Sequence, residues 1–125
     1  MTKNQNLVKE IHELHADICS ALADPSRILL LYALGEQPYT VKDLAALLGI
    51  SQPAASRHLK VLRERGLVRA ARQGSSMEYS LTDHRLIQAL DLLRAVLRES
   101  LSRRASLAES LFLSQDETNT LVAEG

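Results

Sequence analysis

Disulfide chemistry within the chain is excluded at the outset: Cys19 is the one cysteine among 125 residues, and a single thiol has no intramolecular partner. Tryptophan is absent, and Phe112 with three tyrosines completes the aromatics. The core must therefore be aliphatic, built from Leu, Ala, Val and Ile. No run approaches the ~18 apolar residues of a membrane span, and the opening MTKNQNLVKE lacks the apolar stretch of a signal peptide. A cytoplasmic protein is expected. Net charge is missing too, with 15 basic and 15 acidic residues, which taken alone argues against a nucleic-acid binder. No nucleophile–base pair and no complete metal set is visible, so no enzyme is expected.

The distribution of charge points the opposite way from its total. Between Ser51 and Arg72 lie Arg57, Lys60, Arg63, Arg65, Arg69 and Arg72 against a single acid, Glu64. That window carries about +5, and the rest of the chain carries the compensating negative charge. A basic stripe on a neutral body is the footprint of groove binding. A chain this short, with much of its Leu in amphipathic segments, is expected to complete its core by pairing with a second copy.

The segment SQPAASRHLKVLRERGLV, 51–68, organises the rest. Ser51 is a good N-cap and Pro53 falls in the first turn, where its missing N–H does no harm. Ala55, Leu59 and Leu62 form one apolar stripe, and Gly66 ends the helix. The other face carries Gln52, Ser56 and Arg57, residue types that read base edges, and Lys60, a phosphate neutraliser. Before it, Thr40 starts a short helix, VKDLAALLG, with Asp43 placed for a capping box. Gly49 and Ile50 make the turn between the two. Two short helices joined this way are the helix-turn-helix pattern.

Earlier still, Leu7, Ile11, Leu14, Ile18 and Leu22 predict an amphipathic helix over 6–22 after a loose polar start. Asp24 and Pro25 open a second helix, with Gly35 just past its end. Its ILLLYAL is apolar nearly all round and belongs at the centre of the core. GEQPY reads as a loop. After Gly66, LVRAAR and MEYSL flank QGSS as a β-hairpin carrying Arg69, Arg72 and Gln73. Thr82 or Asp83 caps a final helix whose Leu86, Leu90, Leu93, Leu97 and Leu101 have the spacing of a helix-pairing seam. Residues 1–113 are taken as one domain and 114–125 as a flexible tail. The fold class is mainly α with a small β-hairpin: four helices, the hairpin, a fifth helix.

The pieces ALADPSRILLLYAL, SQPAASRHLKVLRERGLV and RQGSSMEYSLTD, in this order over roughly 15–100, resemble the ArsR/SmtB family of winged helix-turn-helix repressors. The resemblance implies a homodimer joined by its first and last helices, here through Leu7, Ile11, Leu14, Ile18, Leu86, Leu90, Leu93 and Leu97. It implies an inverted-repeat operator in double-stranded DNA, read in successive major grooves about 34 Å apart, with release by a metal ion, metalloid or thiol-oxidising reagent. Carried over by position, Gln52, Ser56 and Arg57 resemble the base-contacting set. Thr40, Lys42 and Lys60 resemble backbone contacts, and Arg72, Gln73 and Ser75 the wing. His58 is either a DNA contact or a half-buried packing residue.

The inducer sites depart from that pattern. The helix before 51–68 has no cysteine, so the paired-thiolate site is absent. Of the zinc-type site, Asp83 and Glu99 stand at two matching positions, but Arg85 and Val96 occupy the two histidine positions, and this is no zinc site. His12, His15 and Cys19 share a helix face by their spacing and make a partial set for a soft metal ion, or Cys19 alone is a point for thiol modification. The plainer reading is that His15 and Cys19 pack in a helix seam. His12-Glu13-Leu14-His15 does not match the zinc-protease signature. The competing function is a winged-helix protein–protein module, which an apolar or acidic recognition face would favour.

Overall fold

These local rules find their physical counterparts in a computed structural model, which describes residues 2–124, with side chains described over 4–115. The order is α1 (Thr2–Leu14), a π-helical turn (His15–Cys19), α2 (Pro25–Glu36), β1 (Tyr39–Thr40), α3 (Val41–Leu48), α4 (Gln52–Glu64), β2 (Val68–Gln73), β3 (Ser76–Leu81) and α5 (Arg85–Glu124). The chain divides into two units, Met1–Ile87 and Gln88–Gly125. In the first, α2, α3 and α4 pack on one another, and α2 and α4 also meet the sheet. Leu30, Leu31, Leu44, Leu59 and Leu62 are the largest fully buried side chains. Each such burial stabilises the fold by about 1.5–3 kcal/mol.

The caps are where the sequence placed them. The Asp24 carboxylate accepts the Ser26 N–H at 2.8 Å, the Thr40 hydroxyl accepts the Asp43 N–H at 3.2 Å, and the Ser51 hydroxyl accepts the Ala54 N–H at 3.2 Å. At the far end of α4, Leu67 N–H reaches the Leu62 carbonyl at 2.9 Å and Gly66 N–H the Arg63 carbonyl at 3.0 Å. That pair of bonds is a Schellman closure and needs the left-handed backbone of Gly66, φ 75°.

Several expectations are corrected. The helix over 6–22 begins earlier, at Thr2, and changes character after Leu14. Ser20 N–H bonds the His15 carbonyl five residues back, and the Ser20 hydroxyl bonds the Ala16 carbonyl. Two successive steps of four, Leu14 to Ile18 to Leu22, lag behind an α-helix, and a wider turn absorbs the lag. Gly35 lies inside α2 rather than past it. A Cβ there would come within 3.0 Å of Ile87 Cγ1, so the glycine serves close approach. Within α2, Leu29 is 56% exposed, so the helix is not buried all round. Tyr39, at the end of the expected loop, and the cap residue Thr40 form an edge strand, pairing with Tyr79 and Glu78 to give a sheet of order β1-β3-β2.

The hairpin itself is as expected, with Val68 opposite Leu81 and Gln73 opposite Ser76. Gly74, φ 62°, takes the first loop position, as a two-residue type II′ turn requires. Thr82 does not cap α5. Its hydroxyl donates to the carbonyls of Gly66 at 2.7 Å and Leu67 at 3.0 Å, tying the end of β3 to the exit of α4. The cap is Asp83, which accepts the Arg85 N–H at 2.9 Å. α5 continues past Leu113 to Glu124 with no break at Ser114. Of the expected tail, 116–125 lie outside the described side chains.

Asp83 is also clamped by the Arg85 guanidinium, 2.6 Å from Nη2 to Oδ2. The side-chain and backbone hydrogen bonds from Arg85 lower its pKa from 3.8 to about 2. A depressed carboxylate pKa contributes stability that is complete above pH 3.8 and is lost as pH falls through about 2. Carboxyl-detected NMR should find Asp83 titrating near pH 2 and, in Arg85→Ala, returning towards 3.8. Leu59→Ala should cost about 2–5 kcal/mol in urea unfolding. Arg57→Ala, at an exposed position, should stay within about 0.5 kcal/mol of wild type.

Candidate nucleic-acid interface

Ala55, Leu59 and Leu62 are fully buried, so α4 is fixed in rotation about its axis. That leaves Gln52, Ser56, Arg57 and Lys60 exposed on the helix, as the sequence pattern predicts. Arg57 and Lys60 lie nearly opposite the buried stripe on a 100° wheel. Gln52 and Ser56 flank them, and Arg63 continues that flank. His58 is half-buried, beside the packing face.

α3 enters this surface through its start. Lys42 is exposed and Thr40 half-buried, its hydroxyl oxygen engaged in the cap. Gly49, φ 68°, turns the chain from α3 into α4, and Ile50 N–H closes on the Ala45 carbonyl at 3.0 Å. On the hairpin, Arg72, Gln73 and Ser75 are exposed at and beside the tip. Arg69 is held lower down, its Nε donating to the Ser80 hydroxyl at 3.2 Å. Not every cation of the basic window is available: Arg65 Nη1 sits 3.2 Å from Asp17 Oδ1. This pair joins the π-helical turn to the end of α4, across 48 residues of sequence. No local spacing rule connects the two residues, and only the packed fold brings them together.

Leu7, Ile11 and Leu14 of α1 are exposed and Ile18 is half-buried. In α5, Leu86 is half-buried, Leu90 is buried, and Leu93 and Leu97 are 62% and 54% exposed. Exposed leucines in heptad-like rows are what helix pairing uses.

His12, His15 and Cys19 are all exposed. The π-helical turn carries His15 and Cys19, so the even α-helical stacking that aligned the three on one face does not hold across it. Among the described residues no group of three His, Cys, Asp or Glu side chains is gathered to hold a metal ion. Asp83 is committed to Arg85. No helix of the described residues is long and apolar enough to cross a membrane.

Comparison with known proteins bears on this geometry. Residues 24–70, which include all of α2, α3 and α4, match the family described as bacterial regulatory protein, arsR family. The HTH-type transcriptional regulator NmtR of Mycobacterium tuberculosis is 46% identical over 76 residues, 61% of this chain and 63% of that protein. The chain thus spans less than two thirds of that relative's length. The crystal structure of M. tuberculosis Rv0081 is similar at a TM-score of 0.69 and 34% identity, covering 76% of this chain and 96% of that one. A solution structure from Mycobacterium bovis, described as a homodimeric winged helix-turn-helix DNA-binding domain, gives a TM-score of 0.64 at 25% identity, covering 81% of this chain and 90% of that one. With its three-helix core, its hairpin wing and these likenesses, the chain belongs to the ArsR family of bacterial winged helix-turn-helix regulatory proteins.

Proposed function

We propose that the protein is a sequence-specific DNA-binding transcriptional regulator, a repressor that acts as a homodimer on an inverted-repeat operator. The observation that carries this reading is α4: three apolar side chains fully buried and an amide, a hydroxyl, a guanidinium and an ammonium group left facing solvent. A basic, polar face fits a DNA groove better than an apolar protein partner. NmtR is named a transcriptional regulator, SmtB of M. tuberculosis a repressor, and the M. bovis domain is described as homodimeric and DNA-binding; these names support the same reading.

In this assignment Gln52, Ser56 and Arg57 read bases, while Thr40, Lys42 and Lys60 hold phosphates. Arg72, Gln73 and Ser75 extend along the backbone or into the adjacent minor groove, and His58 packs beside the contact. Two copies pair through Leu7, Ile11, Leu14 and Ile18 and through Leu86, Leu90, Leu93 and Leu97. Pairing sets the two α4 helices one turn of DNA apart, about 34 Å. The working domain is 1–113, with 114–125 an appendage to it. The protein works in the cytoplasm, where its DNA is.

Duplexes selected from a random pool supply the test. With ~6–10 phosphates neutralised by the dimer, affinity should fall roughly 10³–10⁵-fold from 50 to 200 mM salt. Arg57→Ala should cost ~1–3 kcal/mol on the selected duplex and relax sequence preference, whereas Lys60→Ala should weaken selected and random DNA alike. Equal losses on both DNAs for both variants would overturn the division of roles.

Release by an inducer would act through the exposed thiol of Cys19, by oxidation or by another modification of the sulfur; the π-helical turn takes His12 and His15 off a common face with it. Anisotropy on the selected duplex with a panel of metal ions, arsenite and polysulfide should show a response that Cys19→Ser abolishes. A response that survives the substitution removes Cys19 from the sensor.

A further inference from the structure

Behind the exit of α4 lies a cleft of about 610 Å³, lined by Ile18, Arg65, Gly66, Leu67, Thr82, Asp83, Arg85 and Leu86. Its size lies in the range of small-molecule sites, and its make-up, an apolar floor with a few polar groups, is theirs as well. Ile18, Leu67 and Leu86 supply the apolar surface. The walls carry two guanidinium groups and one carboxylate, so the lining is net positive. One wall is rigid, since Thr82 bonds the Gly66 and Leu67 carbonyls through its hydroxyl and Leu67 again through its N–H at 3.1 Å.

Both arginines keep donors to spare. Arg65 gives Nη1 to Asp17, which stands outside the cleft lining. Arg85 gives Nε and Nη2 to Asp83. A guanidinium has five N–H groups in a planar fork that suits a carboxylate bidentately. Among the described residues no other side chain takes up the rest of either fork.

We infer that this cleft is a binding site for a small organic monocarboxylate, its charged end held by Arg65 and Arg85 and its short apolar body on Ile18, Leu67 and Leu86. The two arginines are otherwise surplus to the DNA face, for Arg65 is turned to Asp17 and Arg85 to Asp83. Ile18 and Leu86, half-buried, are the members of the proposed pairing rows that border the cleft, so a carboxylate bound there lies at the edge of the subunit contact. A carboxylate on the remaining donors of Arg65 shares that guanidinium's charge with Asp17, and so weakens the ion pair that joins the π-helical turn to α4. This inference concerns binding by the protein alone and stands whether or not the DNA reading holds.

The test is an amide NMR titration of the full chain with sodium hexanoate at constant ionic strength, with acetate and 1-hexanol as controls for charge without body and body without charge. Hexanoate should shift the Gly66, Leu67 and Thr82 amides saturably, with each control at least tenfold weaker. Arg65→Gln and Arg85→Gln should each weaken binding at least tenfold. Asp17→Asn, which removes the competing carboxylate, should tighten it several-fold, a change of opposite sign that damage to the fold would not produce. Shifts that fail to saturate, that hexanol matches, or that Asp17→Asn leaves unchanged or weakens would overturn the inference.

Discussion

The burial of Ala55, Leu59 and Leu62 against the leucines of α2 and α3 is the constraint on which the rest depends. An α-helix has 3.6 residues per turn, so pinning three residues on one side determines where every other side chain of α4 points. Gln52, Ser56, Arg57 and Lys60 need no contacts of their own to be presented; the core presents them. Charge then follows geometry. A chain with no net charge displays a basic surface because its acids lie on other segments.

Local chemistry was legible in the sequence because it acts over few residues. Ser51, Thr40 and Asp24 cap the helices that their spacing announced. Gly66 closes α4 and Gly74 turns the hairpin, each at a position where positive φ is demanded. The recognition face was legible for the same reason, since helical periodicity alone separates the buried Leu59 from the exposed Arg57. The proposed roles of those side chains towards DNA rest on their chemistry and on the family resemblance.

What was misread depends on tertiary partners. Gly35 looked like a helix stop, and its place is set by Ile87, 52 positions further along. Thr82 looked like a cap, and its hydroxyl is drawn instead to carbonyls at the exit of α4. Tyr39 looked like the end of a loop and Thr40 like a cap alone, and the two-residue strand they form exists only because β3 offers an edge. The π-helical turn had a faint signal in the two steps of four around Ile18, but propensity rules do not weigh it. The Asp17–Arg65 pair had none.

The hairpin is held at its root and along β3, where β1 pairs with Tyr79 and Glu78, and is free only around its tip. Val68 and Leu81, opposite each other at its root, are buried, while Arg72 to Ser76 around the tip are all exposed. In the proposed complex with DNA, Arg72 stands on that exposed tip, beyond the stretch that β1 holds. The helix of this surface is thus fixed along its whole length by buried side chains, whereas the strand pair beside it ends in residues that meet only solvent.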